Sequence, residues 1–115
     1  DATLPDSATD QREFPPEGYV RLSNQDESFV SYGWIFRPEM TFKEKVITAL
    51  LNDYRVDRIK ALLLTDAGAF GYNLSDDKLQ RVPLNSLNDS RIEVIAAGEF
   101  PAAEFEAKLL AACDL

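Results

Sequence analysis

Over residues 58–64 the side chains alternate, Ile59, Ala61 and Leu63 against Arg58, Lys60, Leu62 and Leu64. That is the period of two that a pleated strand imposes, so residues 56–65 read as a strand with one apolar face and one half-charged face. Residues 91–97 repeat the pattern with Ile92, Val94 and Ala96 inward, and Gly98 breaks it. Pro101 then suits the first turn of a helix, where its missing N–H costs nothing. Phe105, Leu109 and Ala112 or Cys113 recur along one face of that helix. Strands on both sides of short turns, closed by an amphipathic helix, restrict the chain to a layered fold.

The remaining elements fit the same plan. Val30, Tyr32, Trp34 and Phe36 share one face of a strand over 29–36, and Arg37-Pro38 ends it. Thr41-Phe42-Lys43-Glu44 has the form of a capping box. Phe42, Val46, Leu50 and Tyr54, widened by Ile47 and Ala49, then predict an amphipathic helix over 42–54. Asp66-Ala67-Gly68 is a turn with glycine where a positive φ is wanted, residues 70–74 return as a hairpin partner, and 79–83 form an edge strand that tolerates Pro83. Residues 84–90 read as a polar connection. The predicted order is β-α-β-β-β-β-α: an α+β fold with a mixed, largely antiparallel sheet of about five strands and two helices packed on one face. Residues 1–24, rich in Asp, Ser, Thr and Pro, read as a linker or tether with Phe14 and Tyr19 as its possible anchor points, and residues 25–115 as the folded domain.

Composition narrows function more than fold. The chain has 115 residues, one domain's worth, with 45% apolar residues and 20 acidic against 12 basic side chains, a formal net charge of −8. Acidity spread along the chain argues against a nucleic-acid or anionic-membrane partner. Histidine is absent and Cys113 is the one cysteine. Those two facts remove an imidazole base, a Ser/Cys–His pair and a zinc site built from thiolates and imidazoles. No intrachain disulfide can form, so a reducing, cytoplasmic setting is expected. No apolar run approaches the roughly 18 residues of a membrane span. The first residue is Asp1 rather than Met, which suggests a fragment of a longer protein.

No catalytic, cofactor-binding or metal-ligating residue is assigned. The five glycines, Gly18, Gly33, Gly68, Gly71 and Gly98, never lead into the Lys-Ser/Thr of a phosphate loop. The carboxylates at Asp26-Glu27, Asp76-Asp77 and Asp89 read as solvated turn residues. Cys113 reads as a small buried hydrophobe near a helix end that disfavours a thiolate. Arg58 and Lys60 project from one strand face. They are read either as solvated charge, paired with Asp57 or Glu93, or as a partner contact. Tyr32 and Trp34 are read either as core, the favoured reading, or as an aromatic interaction patch.

The run Arg58-Ile59-Lys60-Ala61-Leu62-Leu63-Leu64, then Ser90-Arg91-Ile92-Glu93-Val94-Ile95-Ala96, then an Ala/Leu/Glu helix closing at Ala111-Ala112-Cys113, resembles the C-terminal domain of the CobW family of GTPases. That family is associated with metal chaperoning, cobalamin synthesis and metalloenzyme activation. The resemblance spans residues 28–113, by order and pattern alone before Arg58. Arg58 and Lys60 match the family's Arg-x-Lys-Gly segment, with Ala61 in place of glycine, and Ala96 replaces glycine in its Ile-Gly pair. The resemblance implies a non-catalytic accessory domain whose partners are the N-terminal GTPase domain of the same protein and a client metalloprotein. GTP, magnesium and a transition metal such as zinc or cobalt belong to the parent protein rather than to this chain. The histidine-rich stretches that some relatives carry near this region are absent here. A stand-alone small-ligand-binding or dimerisation module of the same α+β outline stays open beside it.

Overall fold

The computed structural model describes residues 14–26 and 28–114. The element order is β1 (Tyr19–Gln25), β2 (Val30–Phe36), β3 (Thr41–Phe42), α1 (Glu44–Asn52), β4 (Arg58–Thr65), β5 (Gly68–Ser75), β6 (Lys78–Leu84), β7 (Ser90–Ala96), α2 (Ala102–Ala111) and β8 (Cys113–Asp114). The main sheet runs β1-β2-β7-β4-β5-β6 with every neighbour antiparallel. Beyond the end of β7's ladder, β3 pairs parallel with β4 through Phe42 and Thr65, and antiparallel with β8. The α+β class and the two helices are as expected, but the 8-stranded sheet is larger than the predicted five.

The alternation of β4 and β7 survives intact. Ile59, Ala61, Leu63, Ile92, Val94 and Ala96 are all buried, and together with Trp34 and Phe36 they floor the core. Ile47 and Leu51 of α1 and Phe105 and Leu109 of α2 join the same cluster, so both helices lie on one sheet face. Each such side chain, fully buried, contributes roughly 1.5–3 kcal/mol of hydrophobic stabilisation.

Three expectations change. Part of the tether expected over 1–24 is sheet instead: Tyr19–Gln25 pair along the whole of β2 as an edge strand, while residues 1–13 lie outside the described residues. Tyr19 also stacks on Phe36, ring centroids 5.6 Å apart. The capping box does not form. Thr41-Phe42 is a strand, Lys43 holds the N-cap position without a side-chain bond, and the Glu44 N–H donates to Asp66 Oδ1 at 2.9 Å. With Phe42 drawn into the sheet, α1 turns Ile47 and Leu51 inward, and Val46, expected in the stripe, is 46% exposed. The helix has two overlapping apolar stripes, and docking on the sheet selects one.

Candidate functional site

The register of the sheet builds its outer face, the one opposite the helices, in rows. One row runs Gly33, Glu93, Lys60, Asn73, Gln80, and the next runs Ile35, Arg91, Leu62, Gly71, Val82. Arg58 and Lys60 are both exposed on this face. Glu93 stands across from Lys60, and burial raises its carboxyl above the usual range while Lys60 and Arg58 oppose that rise. Arg58 Nε donates to Asn73 Oδ1 at 3.4 Å. Asp57, the other partner considered for this pair, instead accepts the Ala97 N–H at 2.6 Å.

Below Lys60 the face becomes apolar. A Cβ on Gly71 would meet Val82, Leu62 and Leu84 at 3.4–3.7 Å, so these side chains close over the bare backbone there. Together with Arg58 and Lys60 they line a shallow groove of 270 Å3. Val82 is 54% exposed at its rim.

Tyr32 and Trp34 lie on the other, helix-bearing face, so the four candidate interaction residues do not form one surface. Trp34 is fully buried, which removes it from any interaction patch. Its indole N–H donates to Glu106 Oε1 at 2.9 Å, and its ring meets Phe105 at 5.3 Å. Glu106 also accepts from the Tyr19 hydroxyl and from Arg21, so one carboxylate on α2 holds β1 and β2. Tyr32 is half-buried, stacking on Trp34 and meeting Phe100 at 5.8 Å. It lines a cleft of 730 Å3 at the end of the sheet, between the 25–30 turn and the 98–101 loop.

Two polar clusters were not legible in the sequence. Asp89, expected as a solvated turn residue, is buried and takes Arg91 in a two-pronged pair, Nε to Oδ1 at 2.9 Å and Nη2 to Oδ2 at 3.1 Å. Their i, i+2 spacing is the available signal, since it places both on one strand face. Glu44, Arg81, Thr48 and Tyr72 meet at the start of α1 through the Glu44–Arg81 ion pair and the Thr48 hydroxyl. Glu27, of the expected acidic pair Asp26-Glu27, lies outside the described residues. Cys113 is half-buried in β8 rather than on the helix, and burial pushes its thiol up to about 11.

Among the described residues no group of three or more His, Cys, Asp or Glu side chains converges as metal ligands do. No described helix is long and apolar enough to cross a membrane. No family model, curated protein or solved structure matches the chain.

Proposed function

We propose that this chain is a non-catalytic interaction domain, the C-terminal accessory domain of a CobW-like GTPase acting in the cytoplasm. In this reading its outer sheet face docks on the nucleotide-binding domain of the same protein, and a client metalloprotein is the second candidate partner. The observation that carries the reading is the character of that face. Arg58 and Lys60 stand exposed beside an apolar groove floored by Leu62 and Gly71 and rimmed by Val82 and Leu84. An apolar centre with a polar, charged rim is the anatomy of a protein–protein interface. The cations sit on a chain of net charge −8, so the patch is a local reversal suited to an acidic partner surface. Arg58 and Lys60 are also the residues on which the resemblance to the family's Arg-x-Lys-Gly segment rests.

A double change of Arg58 and Lys60 to Ala tests it. The melting temperature should move little, because exposed charges contribute only about 0–1 kcal/mol. Association with the separately produced GTPase domain should weaken, and more so at low salt, where surface charge is less screened. A folded double mutant that associates as before removes the proposed interface. The chain alone should bind no GTP in the presence of magnesium, and micromolar binding by calorimetry would overturn the accessory-domain reading.

A further inference from the structure

The antiparallel strands of the main sheet end in two edges, β6 and β1, and the two are finished differently. In β6 the two-residue turn at Asp76-Asp77 makes Ser75 and Lys78 a hydrogen-bonded pair. Lys78, Gln80, Val82 and Leu84 therefore bond to β5, while Leu79, Arg81 and Pro83 turn their backbone groups outward. Pro83 has no N–H to offer there, and Lys78 and Arg81 add charge, so this edge carries the usual guards against a further strand. The β1 edge carries none of them. At its two ends the Arg37 N–H donates to the Gly18 carbonyl at 2.8 Å and the Asp26 N–H to the Phe29 carbonyl at 3.0 Å. The even-numbered residues thus bond to β2, and Tyr19, Arg21, Ser23 and Gln25 turn their backbone groups away from it. The ladder runs from Tyr19 to Gln25 without a bulge, a proline or a lysine, and residues 21–25 are exposed. The one charge in the strand, Arg21, is drawn back onto Glu106 of α2 at 3.3 Å. Asn24 Oδ1 takes the Gln25 N–H at 2.9 Å, so the outward donors left to a partner are those of Tyr19, Arg21 and Ser23.

We propose that a second copy of the chain pairs with this edge, β1 against β1 in antiparallel sense, so that one sheet runs through a two-fold axis. An antiparallel pair sets outward-facing residues against outward-facing residues, which leaves few two-fold registers. Centring on Arg21 puts two guanidinium groups directly opposite each other, which is destabilising. Centring on Ser23 leaves Tyr19 with no partner inside the strand. Centring on Leu22 uses the whole strand: Arg21 opposes Ser23, Tyr19 opposes Gln25, Val20 opposes Asn24, and Leu22 of one copy meets Leu22 of the other. Leu22 is 36% exposed, its neighbour across the ladder being Gly33, and its own copy supplies the apolar contact that glycine cannot. That self-complementarity favours a second copy over an unrelated extended chain. The edge lies at the opposite end of the sheet from the Arg58–Lys60 groove and does not depend on the accessory-domain reading. Each copy carries a net charge of −8, so association is opposed at long range and strengthens as salt screens it. That is the reverse of the salt response expected of the groove. One strand pair lies at the small end of protein interfaces, so the dimer is weak, with a dissociation constant of about 0.1–1 mM.

Sedimentation equilibrium of the whole chain from about 0.05 to 2 mM tests this, with amide hydrogen exchange read on the same samples. The mass should rise with concentration from one chain toward two, more readily at high salt, and the Arg21 and Ser23 amides should gain protection in step. Leu22→Lys sets like charges together on the axis and should weaken the dimer about tenfold. Ser23→Pro removes an outward N–H that β2 does not use and should abolish the dimer. Both residues are exposed, so dispersed spectra should persist, and Leu22→Lys alone carries the test if the proline variant does not fold. The acetylated heptapeptide of residues 19–25 should compete with the dimer, and a scrambled heptapeptide should not. A chain that stays monomeric to 2 mM, a dimer indifferent to Leu22→Lys, or protection that spares Arg21 and Ser23 would each overturn the proposal. Equal competition by the scrambled peptide would overturn it too, since the edge would then take any extended chain.

Discussion

The indole N–H of Trp34 on β2 meets Glu106 Oε1 on α2 at 2.9 Å, 72 residues away in the chain. This contact, shared with Tyr19 and Arg21, fixes how the second helix sits on the first two strands. Glu106→Ala leaves a fully buried indole N–H unpaired and should cost about 2 kcal/mol of stability. Glu106→Gln keeps an acceptor oxygen and should cost about half as much, given the smaller gain of an uncharged bond. Urea unfolding of the two variants checks the order, and equal losses would show that the charge rather than the bond matters.

The first helix is capped from a distant turn. Asp66→Ala should destabilise the chain by about 1 kcal/mol, the usual loss when a free helix N–H loses its side-chain acceptor. Asp66→Asn keeps an acceptor and should lose much less. A thermal melt in which both variants match the parent would remove Asp66 as the cap.

The β5–β6 turn carries strain. Asp76 and Asp77 take φ values of 53° and 61°, the left-handed region that disfavours a side chain. The pair sits at the centre of a two-residue hairpin, where Asn-Gly is preferred. Asp76→Asn with Asp77→Gly should therefore stabilise the chain by about 0.5–1 kcal/mol, the glycine's greater freedom in the unfolded state offsetting part of the relief. A lower melting temperature for the double variant would contradict this.

Cys113 should respond to alkaline pH. Burial raises its thiol from 9.0 to about 11, so between those values the folded chain keeps a proton that the unfolded chain releases. Its contribution to stability is thus full below pH 9.0 and is lost as pH rises toward about 11. Stability should fall more steeply over that window in the parent than in Cys113→Ala, compared by urea unfolding. Alkylation at pH 8 should be slow in the folded chain and fast in urea, because the thiolate is the reactive form. Fast labelling of the native chain would mean that the thiol is not held protonated.

The strands β4 and β7 and the inward face of α2 were legible because each is buried on one side by its own pattern. Ile59, Ala61 and Leu63, Ile92, Val94 and Ala96, and Phe105 and Leu109 all point where their spacing said. The β1 strand was not legible. Its sequence, YVRLSNQ, is mostly exposed and polar, and an edge strand needs a neighbour's free ladder more than an apolar face of its own. For the candidate surface, the sequence placed Arg58 and Lys60 together, as the structure does. The 25–30 and 98–101 loops that form the cleft gave no such signal, because the residues that meet there are drawn from turns far apart in the chain.

Local periodicity, turn chemistry and composition thus determined by themselves the α+β class, the faces of the central strands and the lack of any imidazole. Those properties depend on neighbours a few residues away, which the sequence displays directly. Which of α1's two apolar stripes is buried, where its cap comes from, that Trp34 is sealed beneath α2, and that Asp89 and Arg91 pair out of water were decided only by the assembled fold. The first three depend on contacts between segments that chain order does not bring together; Asp89 and Arg91 are two residues apart, but their burial likewise follows only from the fit of one packed surface against another.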